Sequence, residues 1–178
     1  MDSPRLTIPV GEHDHRLGPA SAPVTLVEYG DYECSFCGQA YPVLKQLVEQ
    51  FGDRLQFVFR NFPITTSHPH AEVAAEAAEA AAVQGKFWEM HDLLYEHQRT
   101  LDPEHIRTLA ARLDLDMDRF DQDLEQRRFE DRVREDFMGG VRSGVNGTPS
   151  FFIDGVRFDG DWTGDGLNVA IREKLAAR

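Results

Sequence analysis

Long apolar runs are missing from this chain of 178 residues. No segment approaches the ~20 apolar residues that cross a bilayer as a helix, so membrane insertion is not expected. Basic charge is also short: 19 Lys and Arg stand against 31 Asp and Glu, a net charge of −12 with histidine neutral. So acidic a chain repels phosphate backbones and anionic lipid, which argues against nucleic acid or a membrane surface as partner. The opening residues, MDSPRLTIPVGEHDHRLG, lack the basic start and apolar stretch of a secretory signal. A cytoplasmic location is therefore expected, with a periplasmic or other extracytoplasmic one as the alternative if a signal peptide has been removed. The acidic segments hold no D-x-D-x-D-G calcium pattern, and no internal repeat is present. Cysteine is down to two residues, Cys34 and Cys37.

Those two cysteines close the stretch LVEYGDYECSFC, Leu26 to Cys37, around which the chain is organised. It reads as a buried strand, a tight exit at Gly30, and a C-x-x-C pair at the mouth of a helix. Free N–H groups and the positive helix end then point at Cys34 and favour its thiolate, the nucleophile of disulfide exchange. Cys37 lies one turn on, placed to attack a mixed disulfide formed at Cys34. The expected roles are nucleophile for Cys34 and resolving thiol for Cys37. A structural disulfide between them would clip almost nothing. A zinc site needs about four ligands, so histidines or carboxylates would have to supply the rest. His13, His15, His68 and His70 lie outside the helical patterns, and His91, His97 and His105 have no ligand partner one turn away. Surface or capping roles are expected for all of them.

The order of elements is β-α-β, then helices, then β-β-α. Residues 1–22 form an arm, with Leu6 to Val10 as a candidate edge strand. Val24 to Tyr29 alternates around Val and Leu as a buried strand. Glu33 to Gln50 is an amphipathic helix that Pro42 should kink, and Leu55 to Arg60 is the second strand. Helices are expected over Ala71–Val83, Lys86–His97, Asp102–Leu113, from Asp116 or Asp118 to Gln126, and Phe129–Val141. Asp102 serves as N-cap with Pro103 in the first helical position. The charged runs of 116–136 read as solvated faces with paired charges. Ser150–Ile153 and Val156–Phe158 flank an Asp154-Gly155 hairpin turn, and Thr163–Ala177 is a closing helix. The expected organisation is 1–64 as arm and first half of one α/β domain, 65–143 as a helical insertion, and 144–178 as the second half.

A C-x-x-C after the first strand, followed by β-α-β and β-β-α halves, resembles the thioredoxin fold, and the helical insertion resembles the DsbA-like branch. The segments EYGDYECSFC and GVNGTPSFFIDG are similar to the bacterial DsbA-like subgroup. The likeness runs from about Val24 to Leu175 and implies a DsbA-like protein disulfide oxidoreductase. Such an enzyme exchanges its disulfide with cysteines of protein or peptide substrates and is recycled by a redox partner. Its working group is the redox-active Cys34–Cys37 disulfide, with no organic cofactor or metal. Glu28 lies where this superfamily carries a buried acid. A carboxyl mid-strand among Val24, Leu26 and Val27 is costly to bury charged, so its pKa should rise and it can move the proton of Cys37. The alternative for Glu28 is a solvent-facing edge position. Pro42 matches the kink proline, and Thr148-Pro149 matches the family's cis-proline, which would shape a substrate groove together with Ser35 and Phe36.

The strongest family oxidants carry Pro-His between the cysteines. Here Ser35-Phe36 supplies no cation, while Asp31 and Glu33 add negative charge beside Cys34. Both disfavour the thiolate, so a less oxidising couple is expected. Phe36, Tyr32, Phe62 and Trp162 could form an apolar rim around Cys34. The rival readings are a thioredoxin-like module that grips peptides without turnover and a Cys/His metal-binding protein.

Overall fold

The computed structural model describes residues 3–178. Five strands form one sheet: β1 (His15–Leu17), β2 (Val24–Gly30), β3 (Leu55–Asn61), β4 (Ser150–Ile153) and β5 (Val156–Phe158), in spatial order β1-β3-β2-β4-β5. β2 and β3 run parallel, Val24 opposite Leu55 through Gly30 opposite Asn61. The other neighbours are antiparallel. Parallel neighbours need a crossover, and helix α1 (Ser35–Phe51) supplies it, with Pro42 inside it. Between β3 and β4 lie α2 (Ala71–Ala82), α3 (Phe87–Glu96), α4 (Pro103–Ala111), α5 (Met117–Glu125) and α6 (Glu130–Arg142). Helix α7 (Gly166–Ala176) closes the chain.

β2 is the middle strand, and its alternation splits the core. Val24 and Leu26 join the larger core with Leu44, Leu47 and Phe51 of α1. Val27 and Tyr29 point to the opposite face, with Val58, Phe62 and Phe152. Glu28 is on β2 between two partners, Phe59 of β3 and Phe151 of β4, so the edge position weighed for it is excluded. Helix α2 is alanine-rich because α3, α4, α5 and α6 all press on it. Small side chains let several backbones approach one helix. Asp102 and Asp116 cap α4 and α5 by accepting the N–H of His105 and Arg119. Asp154 and Gly155 both take positive φ, 50° and 76°, as the hairpin requires.

Two expectations fail. Leu6 to Val10 is not a strand. Arg5 makes a single bridge to Val156, and the arm's strand is β1, on the outer side of β3. The reason is Arg60. Its guanidinium takes the carbonyls of Ile8 (3.0 Å) and Pro9 (3.1 Å) and grips Asp14 through two nitrogens at 2.8 and 3.0 Å. A side chain therefore satisfies the backbone there, and Pro9 has no N–H to offer a ladder. The acidic run is not uniformly solvated either. Asp123 and Asp136 are buried, because Asp136 accepts the Asn61 N–H at 2.9 Å and pairs with Arg132, while Asp123 holds Arg128 at 3.0 Å.

Candidate active site

β2 ends at Gly30, where a side chain has no room: a Cβ would lie 2.5 Å from the Phe59 ring and 2.9 Å from the Tyr95 hydroxyl. The chain turns there, and Cys34 becomes the N-cap residue of α1, with extended backbone (φ −73°, ψ 122°). Both cysteines are free and buried, Cys34 5% exposed and Cys37 0%. The Cys34 thiol donates to the Thr148 carbonyl at 3.5 Å. Its pKa is pulled down to about 5, first by the hydrogen bond from the Cys37 thiol; burial opposes this, and the Thr148 side chain and the N–H groups of Cys37 and Phe36 add to it. Burial pushes Cys37 well up, and the charges of Cys34 and Glu28 push it further. One sulfur is therefore a ready thiolate and the other holds its proton.

The acidic approach does not act as the sequence suggests. Asp31 is buried and accepts from the N–H of Glu33 and Ile64, both at 2.8 Å, and its Oδ2 lies 2.7 Å from Nδ1 of His68. Glu33 is taken by His70. With both carboxylates engaged and peptide N–H groups aimed at the sulfur, the Cys34 thiolate is favoured rather than opposed.

Glu28 is 1% exposed, and neither carboxylate oxygen has a hydrogen-bond partner within the described residues. Burial, reinforced by the charge of Cys34, pushes its pKa up to about 8. It borders a cavity of about 320 Å³ walled by Tyr41, Trp88, His91 and Tyr95. His91 is buried in that wall, not on the surface as expected. Its Nδ1 meets the Tyr32 hydroxyl at 3.0 Å, and burial drives its pKa down to about 3, so it is neutral.

The Thr148–Pro149 bond is cis. Ser35 and Phe36 are exposed at the start of α1, Phe36 by 57%. The rest of the expected rim is elsewhere. Tyr32 is buried, its hydroxyl on His91 and its ring against Phe59 and Tyr95. Phe62 stacks on Phe137, and Trp162 leans on Phe151. Of these four residues Phe36 alone is exposed, next to Cys34 within the C-x-x-C. One further residue carried no signal in the sequence: Gln98, past the end of α3, donates to the carbonyls of Tyr32 (3.0 Å) and Cys34 (2.9 Å) and pins the turn that carries the nucleophile.

The strand order, the parallel crossover into a helix headed by a dithiol, and the helices inserted before the β-β-α half define a thioredoxin fold of DsbA type. The chain belongs to the thioredoxin family, whose profile matches residues 11–173. BdbD from Bacillus subtilis, in its oxidised crystal structure, superposes with a TM-score of 0.84 at 22% identity, covering 98% of this chain and 97% of that one. Wolbachia pipientis α-DsbA1 gives 0.83 at 20%, covering 97% and 95%. In sequence, the chain is 49% identical over 172 residues to the Na(+)/H(+) antiporter NhaA 1 of Salinispora arenicola, a match covering 96% of this chain and 26% of that protein. The chain thus spans about a quarter of the length of that relative. No helix among the described residues is long and apolar enough to cross a membrane.

Proposed function

We propose that this chain is a thiol-disulfide oxidoreductase that exchanges the Cys34–Cys37 disulfide with cysteines of protein or peptide substrates. The observation that carries this reading is the placement of the two sulfurs: Cys34 is the N-cap of α1 with its sulfur 3.5 Å from the Thr148 carbonyl, and Cys37 lies one turn on and fully buried, with the Cys34 pKa drawn down and that of Cys37 pushed up. In the oxidising direction a substrate thiolate attacks Cys34 Sγ and the Cys34–Cys37 bond breaks. Cys37 leaves as a thiolate and takes a proton from Glu28. A second substrate thiolate attacks the substrate sulfur of the mixed disulfide and releases Cys34 as its stable thiolate. The substrate gains a disulfide, and the Cys34–Cys37 pair gains two electrons. In reverse, Glu28 as carboxylate takes the Cys37 proton while Cys37 attacks Cys34 Sγ.

Thr148 and Pro149 form one wall of the substrate groove, and Ser35 and Phe36 the other. An extended segment lying beside Thr148 can pair with its backbone as an added strand, while Phe36 offers apolar contact. The disulfide is the only working group required, and a dithiol or disulfide partner restores it after each turnover. A Cys34 pKa of about 5 lies between those of the strong oxidant DsbA and of thioredoxin, about 3.5 and 7. A lowered nucleophile pKa stabilises the reduced form, so the couple shifts toward the oxidising side of an ordinary dithiol.

The test is the equilibrium with glutathione, read by thiol alkylation. The wild type should show one reversible two-electron transition. Cys34→Ser should be inert, and Cys37→Ser should accumulate a mixed disulfide at Cys34. A pair locked in one state across the whole glutathione range would overturn the reading and favour a peptide-binding module. The antiporter likeness supports a second reading at the level of a longer protein, in which such a domain reports thiol redox state to an attached Na(+)/H(+) antiporter. Antiport rates that do not respond to dithiol oxidation would exclude it.

A further inference from the structure

The dipeptide between the cysteines brings no cation to Cys34, yet the turn before it carries two carboxylates. One short segment between β3 and α2, His68-Pro69-His70, meets both. His68 Nδ1 lies 2.7 Å from Asp31 Oδ2. His70 donates its backbone N–H to Glu33 Oε2 at 2.7 Å and holds Nδ1 3.1 Å from Oε1. Asp31 is the stronger anchor. Its side chain is fully buried, while that of His68 is 24% exposed and can exchange protons with solvent. A buried carboxylate one turn from a thiolate raises the cost of the second negative charge, unless a cation shares the site.

We propose that His68, assisted by His70, is a positioning residue that sets the reactivity of Cys34 by cancelling the charge of Asp31 and Glu33. The imidazole that the strongest oxidants place inside the C-x-x-C is here supplied from another loop. This rests on the thiol-disulfide reading above and assigns that site its tuning element. The His68 ring contacts Asp31 and feels the charges of Cys34 and Glu33 from the turn before α1, with His70 two residues on in its own loop. Burial works against the imidazolium, but the hydrogen bond and charge of Asp31 and the charges of Cys34 and Glu33 outweigh it, so the His68 pKa is raised.

The sign of the effect follows. Below its pKa, His68 is a cation and the field at Cys34 is balanced. As pH rises through that pKa the cation beside the turn is lost. The Cys34 thiolate is then less stabilised, the reduced form loses its advantage, and the couple becomes less oxidising.

Two substitutions at one position separate charge from shape. His68→Gln keeps a donor for Asp31 without charge; His68→Lys restores a permanent cation. The readouts are Cys34 thiolate absorbance near 240 nm against pH and the equilibrium with glutathione. His68→Gln should raise the Cys34 pKa by about one unit. It should also move the equilibrium about tenfold toward the disulfide, about 30 mV for a two-electron couple. His68→Lys should return both to wild-type values, and His70→Gln should give a smaller shift in the same direction. A His68→Gln protein that exchanges with the wild-type pKa and equilibrium overturns this proposal and leaves the oxidoreductase reading standing. Equal losses in His68→Gln and His68→Lys also overturn it, because the loop would then act through shape. A wild type that never exchanges with glutathione overturns the oxidoreductase reading itself.

Discussion

Glu28 holds its proton where the unfolded chain gives it up. Its folded pKa is about 8 against an ordinary value of 4.5. Between those values the unfolded state is ionised and the folded state binds the extra proton, so the contribution of Glu28 to stability falls as pH rises from 4.5 to 8. The slope is about 1.4 kcal/mol per unit. Glu28→Gln removes the titration at nearly the same volume. In the reduced protein, where Cys34 with its pKa lowered to about 5 contributes the opposite slope, the variant should turn a nearly level urea-unfolding profile into one that rises with pH, with a gain of roughly 4 kcal/mol at pH 8. The same variant should slow the Cys37 step by at least 10²-fold in single-turnover exchange, since no general acid remains. A wild-type rate would remove Glu28 from the chemistry. The Cys34–Cys37 spacing and the strand interior around Glu28 are local patterns and could be read from the sequence, while Thr148-Pro149 stood out only through the family resemblance, since an X-Pro before a strand is ordinarily trans. His68 and Gln98 could be read neither way. They meet their partners across 37 and 64 residues of chain, and neither belongs to a spacing that names a partner. His91 was misread because a helical histidine looks the same in sequence whether its face meets water or an aromatic wall.

Helix α6 reaches the back of the sheet through glycine. A Cβ at Gly140 would stand 2.7 Å from Phe62 Cδ2 and 3.0 Å from Tyr29 Cδ1. Neither ring can retreat easily, since Phe62 stacks on Phe137 and Tyr29 is wedged against Phe152. Gly140→Ala gains helix propensity, about 1 kcal/mol, but overpacking costs about 1–3 kcal/mol. The net expectation is a Tm lower by about 2–4 °C. Gly11→Ala, with no atom near its Cβ, should leave Tm unchanged. A Gly140→Ala protein as stable as wild type would mean that α6 is free to slide. At this scale the helices and four strands follow their periodicity and caps. β1 escaped notice because His15-Arg16-Leu17 has no strand pattern of its own, and pairing with Phe57 to Phe59 makes it one. Leu6 to Val10 had the better pattern and lost its backbone groups to Arg60.

A molecule with net charge −12 selects its encounters before any groove is reached. Oxidation of a cysteine peptide flanked by lysines should be fast at low salt and slow as salt is added, while a peptide flanked by glutamates should do the reverse. The two rates should converge near 1 M salt, where screening acts within about 3 Å. Rates independent of salt would show that substrate choice is made by contact alone. The arm also acts at this scale. Near its start, Leu6 donates to the Gly155 carbonyl at 2.9 Å and Pro4 accepts from the Arg157 N–H at 2.8 Å, alongside β5. Farther on, the same arm becomes β1 on the outer side of β3. One stretch of backbone therefore crosses the back of the sheet and occupies both of its flanks. A protease that stripped the arm would bare β3 and β5 together, two unlike edges with free N–H and C=O groups. Each copy could then add its β5 to the β3 of the next, a head-to-tail contact that no symmetry closes, and the product of such a cut would be a growing fibre.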